Sequence, residues 1–292
     1  MPTPGMPEDV AADLSRVTET LQMLAPRWNV WVLMTLAEQP LRYSDIKTRL
    51  PWLVDGQLHP KLRKLTDAGM VERTALDRRN VLYGLSARGK AVLPVLPELA
   101  HWGRTHLEKD TVRDAVTGQR VPKAVPQAQD IEDTLTLLAP RHATAILWTL
   151  QVRGASSAKA IAASVMPDSS LSVIYQPLQR LAEDGLITRD RHRDGHVALT
   201  AAGRNLAPVY RALSAWAAGR PPAEAGDHAV WGPAPAPSPA TTAGPGVWFT
   251  AQPRQPAAAP RPTQTVWKPG DVFSHTTPAR PITPAPAGGR TR

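Results

Sequence analysis

The sequence predicts a mainly α-helical protein with small β-hairpins, built as two tandem copies of one domain and continued by a disordered tail. Three observations carry this. LAPRWNVWVLMTL at 24–36 recurs as LAPRHATAILWTL at 138–150, with seven of thirteen positions identical, and fixed-order self-similarity of this kind marks a duplicated domain. Within each copy, apolar residues recur at helical spacing and then give way to short β-branched runs around a polar turn. From 221 to 292, sixteen of the chain's 31 prolines lie among Ala, Gly, Ser and Thr. With no apolar periodicity there, burial cannot offset the entropy of ordering the chain.

The elements of the first copy follow in order. Leu14, Val17, Leu21 and Leu24 stripe a first helix that ends before Pro26. Trp28, Trp31, Val32 and Leu36 extend along a second, stopped near Gln39-Pro40. Ser44 stands as the N-cap of a short third helix ending at Leu50-Pro51. Leu58, Leu62 and Leu65 line a fourth, and Gly69 supplies its left-handed end. Val71–Leu76 and Val81–Leu85 flank the turn Asp77-Arg78-Arg79-Asn80, and Ser86 then caps a long helix reaching about Leu107. The second copy repeats the order: LQRLAEDGLITR (178–189) answers LRKLTDAGMVER (62–73), Asp194-Gly195 forms the turn, and Thr200 stands where Ser86 stood.

The expected organisation is therefore a flexible N-terminus (1–9), a first domain (10–110), a polar linker (111–128), a second domain (129–220) and the proline-rich tail (221–292). Three helices closed by a two-stranded hairpin make a winged helix-turn-helix. Both fourth helices contain proline, Pro60 and Pro177. An interior proline removes a donor and costs about 3 kcal/mol, so these helices are expected to start near 57 and 173 or to kink.

Composition narrows the function. No apolar run approaches the ~18 residues of a membrane span, and the first residues lack a signal peptide's basic and apolar regions. Cysteine is absent, which excludes disulfides and thiolate metal sites. These features predict a cytoplasmic, nucleoid-associated protein. A net charge of +9 points to a polyanionic partner, double-stranded DNA above all. No nucleophile–base pair, phosphate loop or paired-carboxylate pattern stands out, so neither an enzyme nor a cofactor is expected. His192 and His196 flank a tight turn with no third ligand, so no metal site is expected either.

Arg27-Trp28 opening the second helix, Leu41-Arg42-Tyr43-Ser44-Asp45-Ile46 entering the third, and Leu62-x-x-Leu65 through Gly69 to Val71-Glu72-Arg73 together resemble the HxlR-type bacterial transcriptional regulators, relatives of the MarR group. The prolines in the fourth helices are similar to those of PadR-type regulators. The resemblance covers 10–110 and, more faintly, 130–218. It implies a winged helix-turn-helix regulator, more often a repressor. The cysteine many members carry near their start is missing here, so thiol sensing does not follow.

In such a fold the fourth helix enters the major groove. Its polar face offers Gln57, His59, Lys61 and Lys64 in the first copy, and Ser172, Gln176, Gln179 and Arg180 in the second. Gln57 can read adenine, and the lysines can reach guanine or phosphate. Arg78 and Arg79 at the first wing tip, and Arg191 and Arg193 before the second, suit phosphate or a narrow minor groove. The remaining signal is Val-Trp in the tail. It ends in Trp231, Trp248 and Trp267, spaced as docking motifs for a protein partner would be. The competing class is thus a protein-interaction adaptor, with a degenerate second winged helix and a Val-Trp tail. Apolar stripes on the last helices (Leu93, Leu96, Leu99, Trp102; Leu206, Val209, Leu213, Trp216) predict pairing through first and last helices. The product is a pseudo-dimer within one chain or a homodimer.

Overall fold

The computed structural model describes residues 7–77, 80–189, 195–222 and 226–232. The first repeat comprises α1 (Glu8–Leu24), α2 (Asn29–Thr35), β1 (Leu41–Arg42), α3 (Tyr43–Arg49), α4 (Asp55–Asp67), β2 (Val71–Ala75), β3 (Val81–Leu85), α5 (Ala87–Val92) and α6 (Leu96–His106). A small hairpin, β4 (Thr111–Arg113) and β5 (Arg120–Pro122), lies between the repeats. The second repeat holds α7 (Gln127–Leu138), α8 (Ala143–Arg153), α9 (Ala158–Val165), α10 (Ser172–Glu183), β6 (Ile187–Arg189), β7 (Val197–Leu199), α11 (Ala201–Arg204) and α12 (Ala207–Ala217).

Each repeat is a three-helix unit closed by an antiparallel hairpin. In the first, β3 lies between β1 and β2, with Val71 opposite Leu85 and Ala75 opposite Val81. In the second, Ile187 faces Leu199, and a single bridge between Ser156 and Val197 replaces the third strand. Ile46, Leu58, Leu62, Leu65 and Met70 are fully buried in the first repeat, as Ile161, Ile174, Leu178, Leu181 and Leu186 are in the second. The joint from hairpin to helix is built identically twice. Ser86 Oγ accepts the Gly89 amide (3.0 Å) and donates to the Gly69 carbonyl (2.6 Å). Thr200 Oγ1 accepts from Gly203 (3.1 Å) and donates to Gly185 (2.6 Å). A Cβ at Gly89 or Gly203 would overlap the carbonyl oxygen of Met70 or Leu186, so only glycine allows the helix so close.

Several expectations are corrected. The third helix starts one residue before Ser44: Arg42 is its N-cap, and its amide donates to Asp45 Oδ2 (3.3 Å). The long last helix is broken. Pro94 and Pro97 lack the amides a continuous α-helix needs there, and Leu93–Val95 winds as a 3₁₀ turn between α5 and α6. The fourth helices start earlier than expected, at Asp55 and Ser172, and run through Pro60 and Pro177. Trp28 is not in the second helix: it precedes it in the left-handed region (φ 72°), as does its counterpart His142 (φ 72°). The linker holds an ordered hairpin.

The repeats meet through their first and last helices, α1 against α12 and α6 against α7. Trp102 Nε1 donates to the Ala202 carbonyl (3.1 Å), and Trp216 Nε1 donates to the Arg88 carbonyl (3.3 Å). Trp102 and Trp216 are equivalent positions, and so are Arg88 and Ala202. The contact is therefore reciprocal, as across a two-fold axis. Along α6 and α7 the approach is close enough that Thr134 Oγ1 donates to Leu99 O (3.1 Å). Just past α6, the partly buried Lys109 forms an ion pair with the buried Asp130 of α7 (2.6 Å). A Cβ on Gly103 would lie 2.6 Å from both Asp130 O and Thr134 Oγ1.

A second correction concerns the segment after α12. The sequence assigned everything past 220 to a disordered tail and offered Trp231 to an external partner. Instead Val230 (8% exposed) and Trp231 (3%) are core residues. Trp231 stacks on Tyr210 (4.6 Å) and meets Trp148 at a steep angle, and its carbonyl accepts from Arg211 (2.8 Å). One aromatic side chain among prolines is enough to close a strap where two aromatic rings await it. Trp248 and Trp267 lie outside the described residues.

The strap also reaches the other repeat. His228 Nδ1 accepts the Val230 and Trp231 amides (3.0 and 3.1 Å), which leaves Nε2 to face Asp13 Oδ2 on α1 (2.9 Å). Ser214 on α12 donates to both oxygens of Asp13 (2.8 and 2.7 Å). Burial alone would raise the Asp13 carboxyl. The hydrogen bonds from His228 and Ser214, with the nearby charges of His228 and Arg16, outweigh it and hold the group below its ordinary 3.8.

Two predictions follow from this seam. Gly103→Ala should lower stability by about 1–3 kcal/mol through overpacking of α6 on α7, measured by denaturant titration of the full chain. A depressed carboxylate contributes stability that is present above its unfolded value and lost as pH falls through the folded one. The wild type should therefore lose melting temperature as pH drops below about 4, and Asp13→Asn should flatten that part of the profile.

Candidate nucleic-acid interface

The outward surface of α4 follows from its burial pattern. Leu58, Leu62 and Leu65 point into the core, so Gln57, His59, Arg63 and Lys64 are left on the exposed side. Asp55 fixes the start of the helix against α3: its Oδ1 accepts from Tyr43 Oη (2.9 Å) and from Lys47 Nζ (2.7 Å). The Lys47 hydrogen bond, then that of Tyr43, draws the Asp55 carboxyl below its ordinary range. Burial and the neighbouring carboxylate push the Tyr43 phenol up to about 12, so it stays a neutral donor. Arg42, Tyr43, Ser44, His59, Asn80, Val81 and Tyr83 line a concavity of about 450 Å³ between α3, α4 and the hairpin.

Lys61 departs from the expected set. It is half-buried and feels the charge of Glu132 on α7. Burial lowers its ammonium below the ordinary lysine range; Glu132 opposes this, while Lys64 and Arg27 add to it. The angular position explains it: Lys61 lies three residues from Leu58 and one from Leu62, at the edge of the apolar stripe. Arg63, missed from sequence, projects outward with its side chain 79% exposed, 3.8 Å from Asp67. Its position one residue past the buried Leu62 was the available signal.

In α10, Ile174, Leu178 and Leu181 are buried, and Ser172, Gln176, Gln179 and Arg180 are exposed as expected. Gln179 donates to Glu183 (2.8 Å) and Ser172 shares a hydrogen bond with Ser170 (2.8 Å). Leu171, Val173 and Tyr175 are also exposed, at 41%, 47% and 49%. The wing residues Arg78, Arg79, Arg191 and Arg193 lie outside the described residues. Among those described, no group of three or more His, Asp or Glu could hold a metal ion, and no helix is long and apolar enough to cross a membrane.

The junction behind α4 is aromatic. Trp28, Trp31 and Trp52 stand 5.1–6.3 Å apart, and Arg27 lies over the Trp28 ring (4.5 Å). Glu132, buried at the start of the second repeat, accepts the Trp28 amide (2.6 Å) and the Trp31 indole N–H (3.2 Å). The second repeat thereby holds the left-handed residue that opens α2 of the first.

The arrangement defines a protein with two winged helix-turn-helix units. The HxlR-like helix-turn-helix family model matches residues 23–111 and again 137–224, together more than half of the chain, and the chain belongs to that family. An HTH-type transcriptional regulator of Methanothermobacter thermautotrophicus is 32% identical over 95 residues, 32% of this chain and 72% of that protein. The HTH-type transcriptional regulator YodB of Bacillus subtilis is 28% identical over 100 residues, covering 33% and 89%. The reduced form of YodB superposes on 31% of this chain and 90% of its own, at 27% identity and a TM-score of 0.30.

Glu132→Ala should leave the Trp28 amide and the Trp31 indole without an acceptor and destabilise the chain by about 1–3 kcal/mol. Chemical denaturation measures the loss. A change in the tryptophan emission of the native state, absent in Glu132→Gln, locates it at the Trp28–Trp31–Trp52 cluster.

Proposed function

We propose that the chain is a sequence-specific regulator of transcription that binds double-stranded DNA, with α4 and α10 as the two groove-reading helices of one covalent pseudo-dimer. The observation that carries the reading is the outward face of α4, where Gln57, His59, Arg63 and Lys64 stand free of the core on a rigid helix. Side chains of these types hydrogen-bond base edges and phosphates. Membership of the HxlR-like family supports it, as do relatives named as transcriptional regulators. Repression follows as the mode of action if the bound pseudo-dimer excludes polymerase from its site. In this role the protein acts in the cytoplasm, on the nucleoid.

The exposed apolar side chains of α10 favour a second reading, a protein-interaction adaptor. Burial of Trp231 in the chain's own core withdraws one of the three Val-Trp motifs from that role.

Fluorescence anisotropy of the full chain on duplex DNA across a salt series tests the proposal. Affinity should fall steeply with salt, by about 0.9 logarithmic units per phosphate neutralised. Arg63→Ala should weaken binding about tenfold, whereas Lys61→Ala, half-buried at the edge of the apolar stripe, should change it less. Salt-independent or undetectable binding would favour the adaptor.

A further inference from the structure

The two groove-facing helices occupy equivalent positions but carry different chemistry. With Leu62 equivalent to Leu178 and Gly69 to Gly185, Gln57 stands where Val173 does, His59 where Tyr175 does, and Arg63 where Gln179 does. The helix before each differs in the same sense. Lys47, following the buried Ile46 on α3, is replaced by Ala162 following the buried Ile161 on α9. The surface around α4 is thus cationic and polar. The face of α10 alternates uncharged donors, Ser172, Gln176 and Gln179, with exposed Val173 and Tyr175 and with Leu171 at its start.

We infer that the two repeats read different half-sites: α4 one that contains guanine, α10 one rich in A·T pairs, recognised through thymine methyl groups. This inference rests on the DNA-binding reading above. In the major groove, guanine presents two acceptors suited to arginine or lysine. Adenine presents an acceptor and a donor suited to glutamine, and thymine alone presents a methyl group that attracts apolar side chains. Arg63 and Lys64 on α4 match the first set. Gln176 and Gln179, with Val173 and Tyr175 beside them, match the other two. On the turn of the helix, Val173 and Tyr175 flank the Ser172–Gln176–Gln179 strip rather than forming one continuous patch. A side-by-side A·T pair needs that mixture, and a protein-docking ridge does not.

Charge complementarity supports DNA as the occupant. The second repeat keeps a few exposed cations for the backbone, Lys159 on α9, Arg180 on α10 and Arg189 on β6. Phosphate contacts position a domain and base contacts specify its sequence. In the second repeat, the first task falls to those cations and the second to an almost uncharged helix.

The test starts from a pool of random duplexes bound by the full chain. Each duplex is long enough for two half-sites about 10 base pairs apart, centre to centre. The expected motif is not a palindrome: one half contains G·C pairs and the other is A·T-rich. Replacing thymine by deoxyuridine in the A·T half should weaken binding about threefold per methyl contact; the same replacement in the other half should leave it unchanged. Val173→Ser and Tyr175→Gln, both at exposed positions, should abolish the deoxyuridine effect while circular dichroism stays that of the wild type.

A palindromic motif, or G·C pairs required in both halves, would overturn the inference and leave the regulator intact. A single half-site, indifferent to both α10 variants, would overturn it in favour of a protein contact for α10. Failure to enrich any duplex would remove the DNA-binding reading, and the inference with it.

Discussion

The reciprocal pair Trp102 to Ala202 and Trp216 to Arg88 organises everything else. Each tryptophan carries a large apolar area into the seam and must place one indole N–H. Each places it on the backbone joint that follows the other repeat's hairpin. This fixes the last helix of one repeat against the base of the other's wing. The glycine-dependent turn at Gly89 and Gly203 depends on the same place, because the residue accepting the indole proton lies next to it in the chain. Seam and wing root therefore form one packed unit, and interiors packed at such density transmit displacement rather than absorb it.

Two-fold symmetry in the backbone has not been kept in the side chains. Asp130 pairs with Lys109 just past α6, whereas its equivalent Arg16 sits at the edge of the α1–α12 contact beside Asp13. Glu132 holds Trp28 and Trp31, and its equivalent is Thr18, facing a repeat with His142 and Ala145 at those positions. One half of the seam is closed by an ion pair and a buried carboxylate, the other by the strap of His228 and Trp231. Each is a local solution to burying polar groups, and buried polar groups must find partners. The asymmetry inside the protein parallels the asymmetry of the two outward helices.

Most of the architecture was legible because it rests on periodicity and duplication. Leu58, Leu62 and Leu65 place α4, Ser86 and Thr200 mark the caps, and the repeat of 24–36 at 138–150 shows that the domain occurs twice. Pairing through first and last helices followed from surplus apolar stripes. What was hidden depends on contacts far apart in sequence. Nothing local to Lys61 shows that Glu132 of the other repeat will lie close enough to act on its charge. Nothing local to Trp231, set among prolines, shows that Tyr210 and Trp148 leave it a seat. The break at Leu93–Val95 was visible in Pro94 and Pro97, but the strength of the apolar stripe outweighed them. On α4, the exposure of Gln57, His59 and Lys64 was legible from the polar face. The exposure of Arg63 was equally legible from its place one residue past Leu62, but its charge read as ordinary solvated surface.

An internal seam has a consequence for dose. A regulator assembled from two separate chains occupies its site in proportion to the square of chain concentration when dilute, and a falling supply switches it off abruptly. Here both halves are synthesised together, in equal number and already joined. For the pseudo-dimer proposed above, occupancy would rise with the first power of concentration, because no second chain has to be met. Such a protein is suited to graded control at low copy number, and each half can acquire its own mutations without imposing them on the other.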